Sequence, residues 1–336
     1  MLRPAPGPGR PAYQMSPLHV GVGLWNMRAT ARRPAAAPAL YRGAVDDAVA
    51  AERHGFDSLW FGEHRFWYDG WCPQPLHVAA AAAAATTRLH LGTAMYLLPQ
   101  HDPAGTVEAL RTATAMVGDR IELGVSLGYR PEEYAGLGLG LDHRVGLMNR
   151  AVDQLADAGL TGRVWVGGMA EAAVRRAGRR GLSLMLPPTI DVKKVRALVA
   201  AARDEAAAHG TTVPRVGILK DVWVDTAAPA AREYFLPRLT QHYAEYVTAW
   251  WARAADGTID LGRVGPQVRR NVAAALVGRP DEVAERLAEL VDAGVDTLVL
   301  QYATEETRSR GAEQMAALAD GLLPILRPGS PVKAGA

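Results

Sequence analysis

Between His19 and about residue 326, short runs of apolar residues alternate with longer stretches in which apolar side chains recur at every third or fourth position. The short runs have strand length and the longer stretches helical period. The first run, His19 to Asn26, precedes a predicted helix over about 39–54, where Val45, Ala48 and Val49 share a face. Runs over 58–62, 89–96 and 121–126 are followed by helical patterns over about 75–86, 104–117 and 145–158. Further runs cover 164–166, 182–186, 216–224 and 297–301, with helices expected from about Ala170, over 192–208, over 228–255 and up to about Leu326. One more helix opens at Pro280, a residue favoured at the first helical position. Asp281 and Glu282 lie in its first turn, and Val283, Leu287, Leu290 and Val291 form one stripe.

Eight strand–helix alternations, with strands too apolar to leave one face wet, specify a parallel sheet covered by helices. The expected fold is α/β, an eight-stranded (β/α)8 TIM barrel forming one domain over residues 15–330. The proline-rich residues 1–14 are expected to be a disordered extension, with Met15 a candidate natural start, and 331–336 a tail. Barrels of this kind carry their chemistry at the carboxyl ends of the strands. The residues there are Trp25 and Asn26, Glu63 and His64, Thr93 to Tyr96, Gly128 to Arg130, Gly167 to Met169, and Gln301 with Tyr302.

Composition narrows the reading. The 336 residues carry 37 basic and 35 acidic side chains, a balance that calls for neither nucleic acid nor an anionic membrane as partner. Cys72 is the only cysteine, which excludes an internal disulfide and a multi-cysteine metal site. The longest aliphatic run, Val78 to Ala85, is far short of the roughly 20 residues that span a bilayer. A cytoplasmic protein is expected. The nine histidines offer no closely spaced pair on one helix face with a carboxylate partner, so no metal site is expected.

The strongest chemical signal is the strand that ends in Glu63-His64. Ionisable groups at the end of a buried strand need partners, and an imidazole titrates near working pH. His64 is a candidate for proton transfer, with Glu63 as its helper. The competing readings are a structural histidine bonded to a backbone carbonyl, and a Glu63 paired with Arg65 or a helix end. Gly167-Gly168 joins a strand to a helix beginning near Ala170, where free amides favour a phosphate; a tight turn needing glycine explains the same pair. Tyr129 and Arg130 add a phenol and a cation at the next rim position, although Arg130 also suits a surface ion pair. Gly136 to Gly140 lacks dinucleotide-loop spacing and reads as a loop. Cys72, between Trp71 and Pro73, reads as packed. Tyr243, Tyr246 and Trp250 share a helical face and read as core or subunit interface.

Five segments, taken together and in this order, resemble the luciferase-like monooxygenases, flavin- or deazaflavin-dependent enzymes of the bacterial luciferase type. They are Gly55-Phe-Asp-Ser-Leu-Trp-Phe-Gly-Glu-His64, Leu91-Gly-Thr-Ala-Met-Tyr-Leu-Leu-Pro99, Leu123-Gly-Val-Ser-Leu-Gly-Tyr-Arg-Pro-Glu-Glu133, Val164-Trp-Val-Gly-Gly168 and Val277-Gly-Arg-Pro-Asp-Glu-Val-Ala284. The resemblance implies a tricyclic ring in the barrel mouth near Thr93, Ala94 and Met95, where relatives often have a non-proline cis peptide. It makes His64 the catalytic histidine and Gly167, Gly168 and Met169 a cofactor-phosphate loop, with Trp25, Tyr129 and Arg130 as further cofactor contacts. The implied cofactor is reduced FMN from a separate flavin reductase, used with oxygen on a small-molecule or carrier-bound organic substrate. A deazaflavin with hydride transfer is the alternative, and a non-catalytic flavin- or partner-binding barrel a third reading. A homodimer is implied as well.

Three departures qualify the match. Arg65 stands where many relatives have a second histidine. Gly105 stands where luciferases have an arginine. Only Gly159 to Arg163 remain of the long substrate-shaping segment that relatives insert between the fourth helix and the fifth strand, which predicts an open pocket.

Overall fold

The computed structural model describes residues 18–66, 70–250 and 261–328. The expected extension over 1–14, Met15 and the tail over 331–336 lie outside the described residues. The strands are β1 (His19–Trp25), β2 (Ser58–Phe61), β3 (His90–Tyr96), β4 (Ile121–Val125), β5 (Val164–Gly167), β6 (Ser183–Leu186), β7 (Val216–Val224), β8 (Leu276–Gly278) and β9 (Thr297–Gln301). The helices are α1 (Ala37–Arg53), α2 (Pro75–Ala84), α3 (Pro103–Val117), α4 (Pro131–Gly136), α5 (Arg144–Asp157), α6 (Glu171–Arg180), α7 (Val192–Ala208), α8 (Ala228–Trp250), α9 (Leu261–Ala273), α10 (Pro280–Asp292), α11 (Gly311–Ala317) and α12 (Leu323–Leu326).

Eight strands, β1 to β7 and β9, pair in parallel, and the ring closes because β9 lies between β1 and β7. The expected (β/α)8 barrel is therefore present. β8 stands outside it. At nine residues β7 outruns its neighbours, and Leu276–Gly278 pairs with Val222–Val224 at its far end.

Two apolar layers hold this arrangement. The larger lies between the barrel wall and the helices. The smaller fills the barrel itself with Trp60, Trp165, Met185, Leu219 and Val299, all buried. Glycine on facing strands makes room for the two indoles: a Cβ on Gly92 would come within 2.1 Å of the Trp60 ring, and one on Gly217 within 3.1 Å of the Trp165 ring. Helix starts follow local chemistry. Asp102 accepts the Gly105 N–H at 2.6 Å at the head of α3, and Asp191 accepts the Lys194 N–H at 2.7 Å at the head of α7.

The connection from α5 to β5 is as short as expected, with a single 3-10 turn at Thr161–Arg163. Cover for the mouth comes from elsewhere. Between β7 and β9 the chain adds α8 and α9, which pack on each other and lean over the carboxyl ends of the strands. Among the described residues, no helix is long and apolar enough to cross a membrane.

Candidate active site

A cavity of about 380 Å3 opens at the carboxyl ends of the strands, floored by Ala94, Met95 and Leu219 from the top of the inner core. This volume is in the range of small-molecule sites, roughly 300–1,000 Å3. His64 stands on its wall, only 6% exposed, with the Trp71 ring edge-on at 4.6 Å and Tyr129 at 5.9 Å.

The carboxylate that holds His64 is Glu133, not Glu63. Nδ1 of His64 donates to Glu133 Oε1 at 2.8 Å, and the same carboxylate accepts the Arg65 backbone N–H at 3.0 Å and the Gln100 amide at 3.2 Å. Glu133 comes from the first turn of α4 and is fully buried. Burial alone would raise its carboxyl, but the bond and charge of His64, the Arg65 N–H and Gln100 outweigh it and keep its pKa below the ordinary value. With the carboxylate ionised, the proton of a neutral His64 resides on Nδ1.

Glu63 does line the cavity but serves other partners. Its Oε2 accepts the Leu97 N–H at 2.8 Å; its Oε1 accepts from His101 Nε2 at 2.8 Å and from Arg65 Nε at 3.1 Å. Since His101 gives its Nε2 proton to Glu63, its Nδ1 accepts the Tyr96 hydroxyl at 2.7 Å. Arg65, in the position where relatives have a second histidine, thus completes a chain of bonds that fixes the loop after β3. The assistance to His64 expected of Glu63 is supplied by a residue 69 positions further on.

Of the three residues expected beside a ring, two line the cavity. The Ala94–Met95 peptide is cis, and both residues line the cavity. Thr93 does not: it is wholly buried and its hydroxyl donates to the Gly124 carbonyl at 2.9 Å, which ties β3 to β4. Gly167, Gly168 and Met169 line the cavity beside Met95. A Cβ on Gly167 would lie 2.7–2.9 Å from Met95, so glycine there keeps the Met95 side chain out of the cavity. The three residues lead to the amino end of α6, where the Glu171 carboxylate is engaged by Arg175 at 2.7 Å.

Trp25 and Arg130 stand away from the cavity. The β1 register shifts between Val22 and Trp25, and the indole turns outward to donate to Asp47 of α1 at 2.6 Å. Arg130 donates to the Arg65 carbonyl at 2.9 Å and approaches Glu132 at 3.5 Å, so it braces the loop behind His64. Tyr129 lines the cavity, where its hydroxyl meets that of Tyr246.

The α8–α9 wall was not legible as a site. Tyr243 and Tyr246, read as core or interface, line the cavity together with His242, Asp221, Gln267 and Asn271; the Trp250 side chain lies outside the described residues. The Tyr243 hydroxyl donates to Asp221 at 2.7 Å. Burial raises the Asp221 carboxyl, against the Tyr243 bond and the charges of His242 and Lys220. Among the described residues, no lysine or arginine lines the cavity. A planar, largely uncharged ring suits its apolar floor. Gly167 gives the Met95 side chain room to lie against β5, which keeps the floor open for such a ring, and the amides leading into α6 suit an anionic tail. The residues present therefore fit a flavin-type cofactor.

The profile of the luciferase-like monooxygenases matches residues 23–158 and 148–297. The chain belongs to this family of flavin- or F420-dependent oxidoreductases. It is 26% identical over 311 residues to the 4-hydroxyprotoasukamycin monooxygenase of Streptomyces nodosus subsp. asukaensis, covering 79% of this chain and 82% of that one. The alkanal monooxygenase alpha chain of the Kryptophanaron alfredi symbiont is 30% identical over 120 residues, 36% of this chain and 34% of its own length. Among solved structures, the oxygenating constituent of 3,6-diketocamphane monooxygenase from Pseudomonas putida, in complex with FMN, superposes with a TM-score of 0.73 at 17% identity, covering 92% of this chain and 98% of that one. An F420-dependent secondary alcohol dehydrogenase gives 0.69 at 15% identity, covering 92% and 99%. These two likenesses are of fold.

Proposed function

We propose that this protein is a monooxygenase that uses reduced FMN, supplied by a separate flavin reductase, and oxygen to oxidise an apolar organic substrate, and that it works as a homodimer. The observation that carries the reading is the His64–Glu133 pair on the wall of an apolar cavity floored by Ala94 and Met95. The choice of FMN over a deazaflavin draws on the monooxygenase relative that aligns over 79% of the chain.

Each residue has a role that follows from its surroundings. Ala94, Met95 and Gly167 hold the ring face, and the amides after Gly167 hold the phosphate. When bound, the flavin supplies the redox chemistry. His64 gives or takes a proton through Nε2, because Glu133 occupies Nδ1 and stabilises the imidazolium when it forms. Trp71, Tyr129 and Tyr246 exclude water around that imidazole, which strengthens each electrostatic contact within.

Anaerobic titration of the purified protein with reduced FMN and, in parallel, with the deazaflavin tests the proposal. Tighter binding of reduced FMN, followed by reductase-dependent oxygen consumption, is expected. Preferential binding of the deazaflavin replaces the monooxygenase with a hydride-transferring oxidoreductase; binding of neither leaves a non-catalytic barrel.

A further inference from the structure

The α8–α9 wall holds polar groups that the His64–Glu133 pair and the ring floor do not use. His242 lines the cavity and donates Nδ1–H to Glu305, whose two oxygens lie at 3.0 and 3.2 Å. Glu305 is fully buried and bonded by Arg28 at 2.5 Å; Arg28, also fully buried, reaches Glu245 of α8 at 3.0 Å. The Arg28–Glu245 bond already ties α8 to the loop after β1. Anchoring alone therefore does not require an imidazole directed at the cavity, yet one is held there, and its Nε2 has no hydrogen-bond partner among the described residues. On the adjoining α9, Asn271 is 6% exposed and uses its Oδ1 to accept from Gln267 at 2.9 Å, while its amide NH2 has no partner among the described residues.

We propose that His242, with Asn271, forms a substrate-side subsite that donates hydrogen bonds to an uncharged acceptor oxygen, a ketone or aldehyde carbonyl, on an otherwise apolar substrate. Charge selects the class. Among the described residues, the groups that face His242 are Glu305 from the loop after β9, Arg28 from the loop after β1 and Asp221 from β7, with Tyr243 and Tyr246 on its own helix and the amides of Gln267 and Asn271 from α9. Arg28 and Glu305 lie behind His242 and do not line the cavity, whereas the Asp221 carboxylate does, and among the described residues no lysine or arginine lines it to offset that charge, so a carboxylate ligand would lie beside a like charge. A carbonyl oxygen meets donors without that repulsion.

Protonation fits this role. Burial lowers the His242 pKa, but the charge and bond of Glu305 outweigh it and raise the net value, so Nε2 carries its proton to higher pH than an ordinary histidine. As pH rises through that value the donor becomes an acceptor, and affinity for a carbonyl falls.

The subsite deepens the proposed function but is tested apart from it, on the whole protein with no cofactor added. Acetophenone and ethylbenzene, which differ by one carbonyl oxygen, are titrated into the protein by calorimetry at several values between about pH 6 and pH 9, a range that spans histidine titration. His242→Phe keeps a ring of similar shape and removes the donor. It is expected to weaken acetophenone about tenfold at the lower pH, the scale of one charge-assisted hydrogen bond, while ethylbenzene stays within about twofold. Glu305→Gln retains an acceptor for Nδ1–H and moves the pH at which acetophenone binding weakens to a lower value. Unchanged acetophenone affinity in natively folded His242→Phe, or equal loss for both ligands, overturns the proposal. If that variant does not fold, an unmoved pH midpoint in Glu305→Gln overturns it. Failure here leaves FMN binding intact, so the two readings fail separately.

Discussion

Replacing Glu133 by glutamine separates the electrostatic role of this residue from its packing. Glutamine keeps the shape and an oxygen that can accept from His64 Nδ1 and from the Arg65 N–H, the two bonds that converge on Oε1. The new NH2 would face the Gln100 amide, but the Gln100 Oε1 is buried without a partner, so a flip of that side chain supplies an acceptor. What is lost is charge. A hydrogen bond to a charged group contributes about 1.5–3 kcal/mol and a neutral one about 0.5–1.5, so the imidazolium form of His64 loses about 1–2 kcal/mol of support. A step in which His64 carries the extra proton should slow about 5- to 30-fold.

Stability should move with pH in a defined direction. The Glu133 pKa is lower in the folded protein than the ordinary 4.5, so its contribution is present above about that pH and is lost as pH falls through the lower folded value. The gap between wild type and Glu133→Gln in urea unfolding should therefore be widest near neutrality and close on acidification. Reoxidation of bound reduced FMN, followed by absorbance, reads the rate. Wild-type reoxidation in folded Glu133→Gln, with slow reoxidation in Glu63→Gln, would refute this account and return His64 to Glu63.

Gly167→Val should drive Met95 into the cavity, because a Cβ there already lies within 2.9 Å of it; calorimetry should show FMN binding weakened at least about 100-fold with little change in Tm. Arg28→Met removes the cation from between Glu305 and Glu245 and should cost about 3–5 kcal/mol in urea unfolding, the range for breaking a buried ion pair. The His242–Glu305 pair should narrow the pH range of stability from both sides. The Glu305 pKa is lowered to about 2, so its share is present above the ordinary 4.5 and lost as pH falls toward 2; that of His242 is raised, so its share is complete below 6.5 and lost as pH rises past the raised value. Melting temperatures across pH should show both flanks flattened in Glu305→Gln.

The eight barrel strands were legible because buried parallel strands are written as continuous apolar runs, and His64 because an imidazole directly after such a run has few structural uses. β8 escaped because three residues, Leu276–Gly278, carry no periodicity. α9 was hidden by Gly262, Gly265 and Pro266, which read as loop residues although the segment is helical. The Glu133–His64 pair joins residues 69 apart, and nothing local to Glu133 marks it as more than an acid in a first helical turn. Trp25 was misplaced by the same kind of limit: a register shift in β1 turned its side chain toward Asp47, and sequence does not show a bulge. His242 adjoins the stripe of Tyr243, Tyr246 and Trp250, which has the period of an ordinary packed face, and nothing local marks the histidine.

Crystals of the protein grown with FMN under reducing conditions offer the most direct measurement. Ring density is expected against Ala94 and Met95, with the His64 imidazole beside it still bonded to Glu133 and the phosphate on the amides after Gly167. Ring density elsewhere, or a mouth closed by Tyr129 and Tyr246 with no cofactor bound at saturating FMN, would contradict this placement.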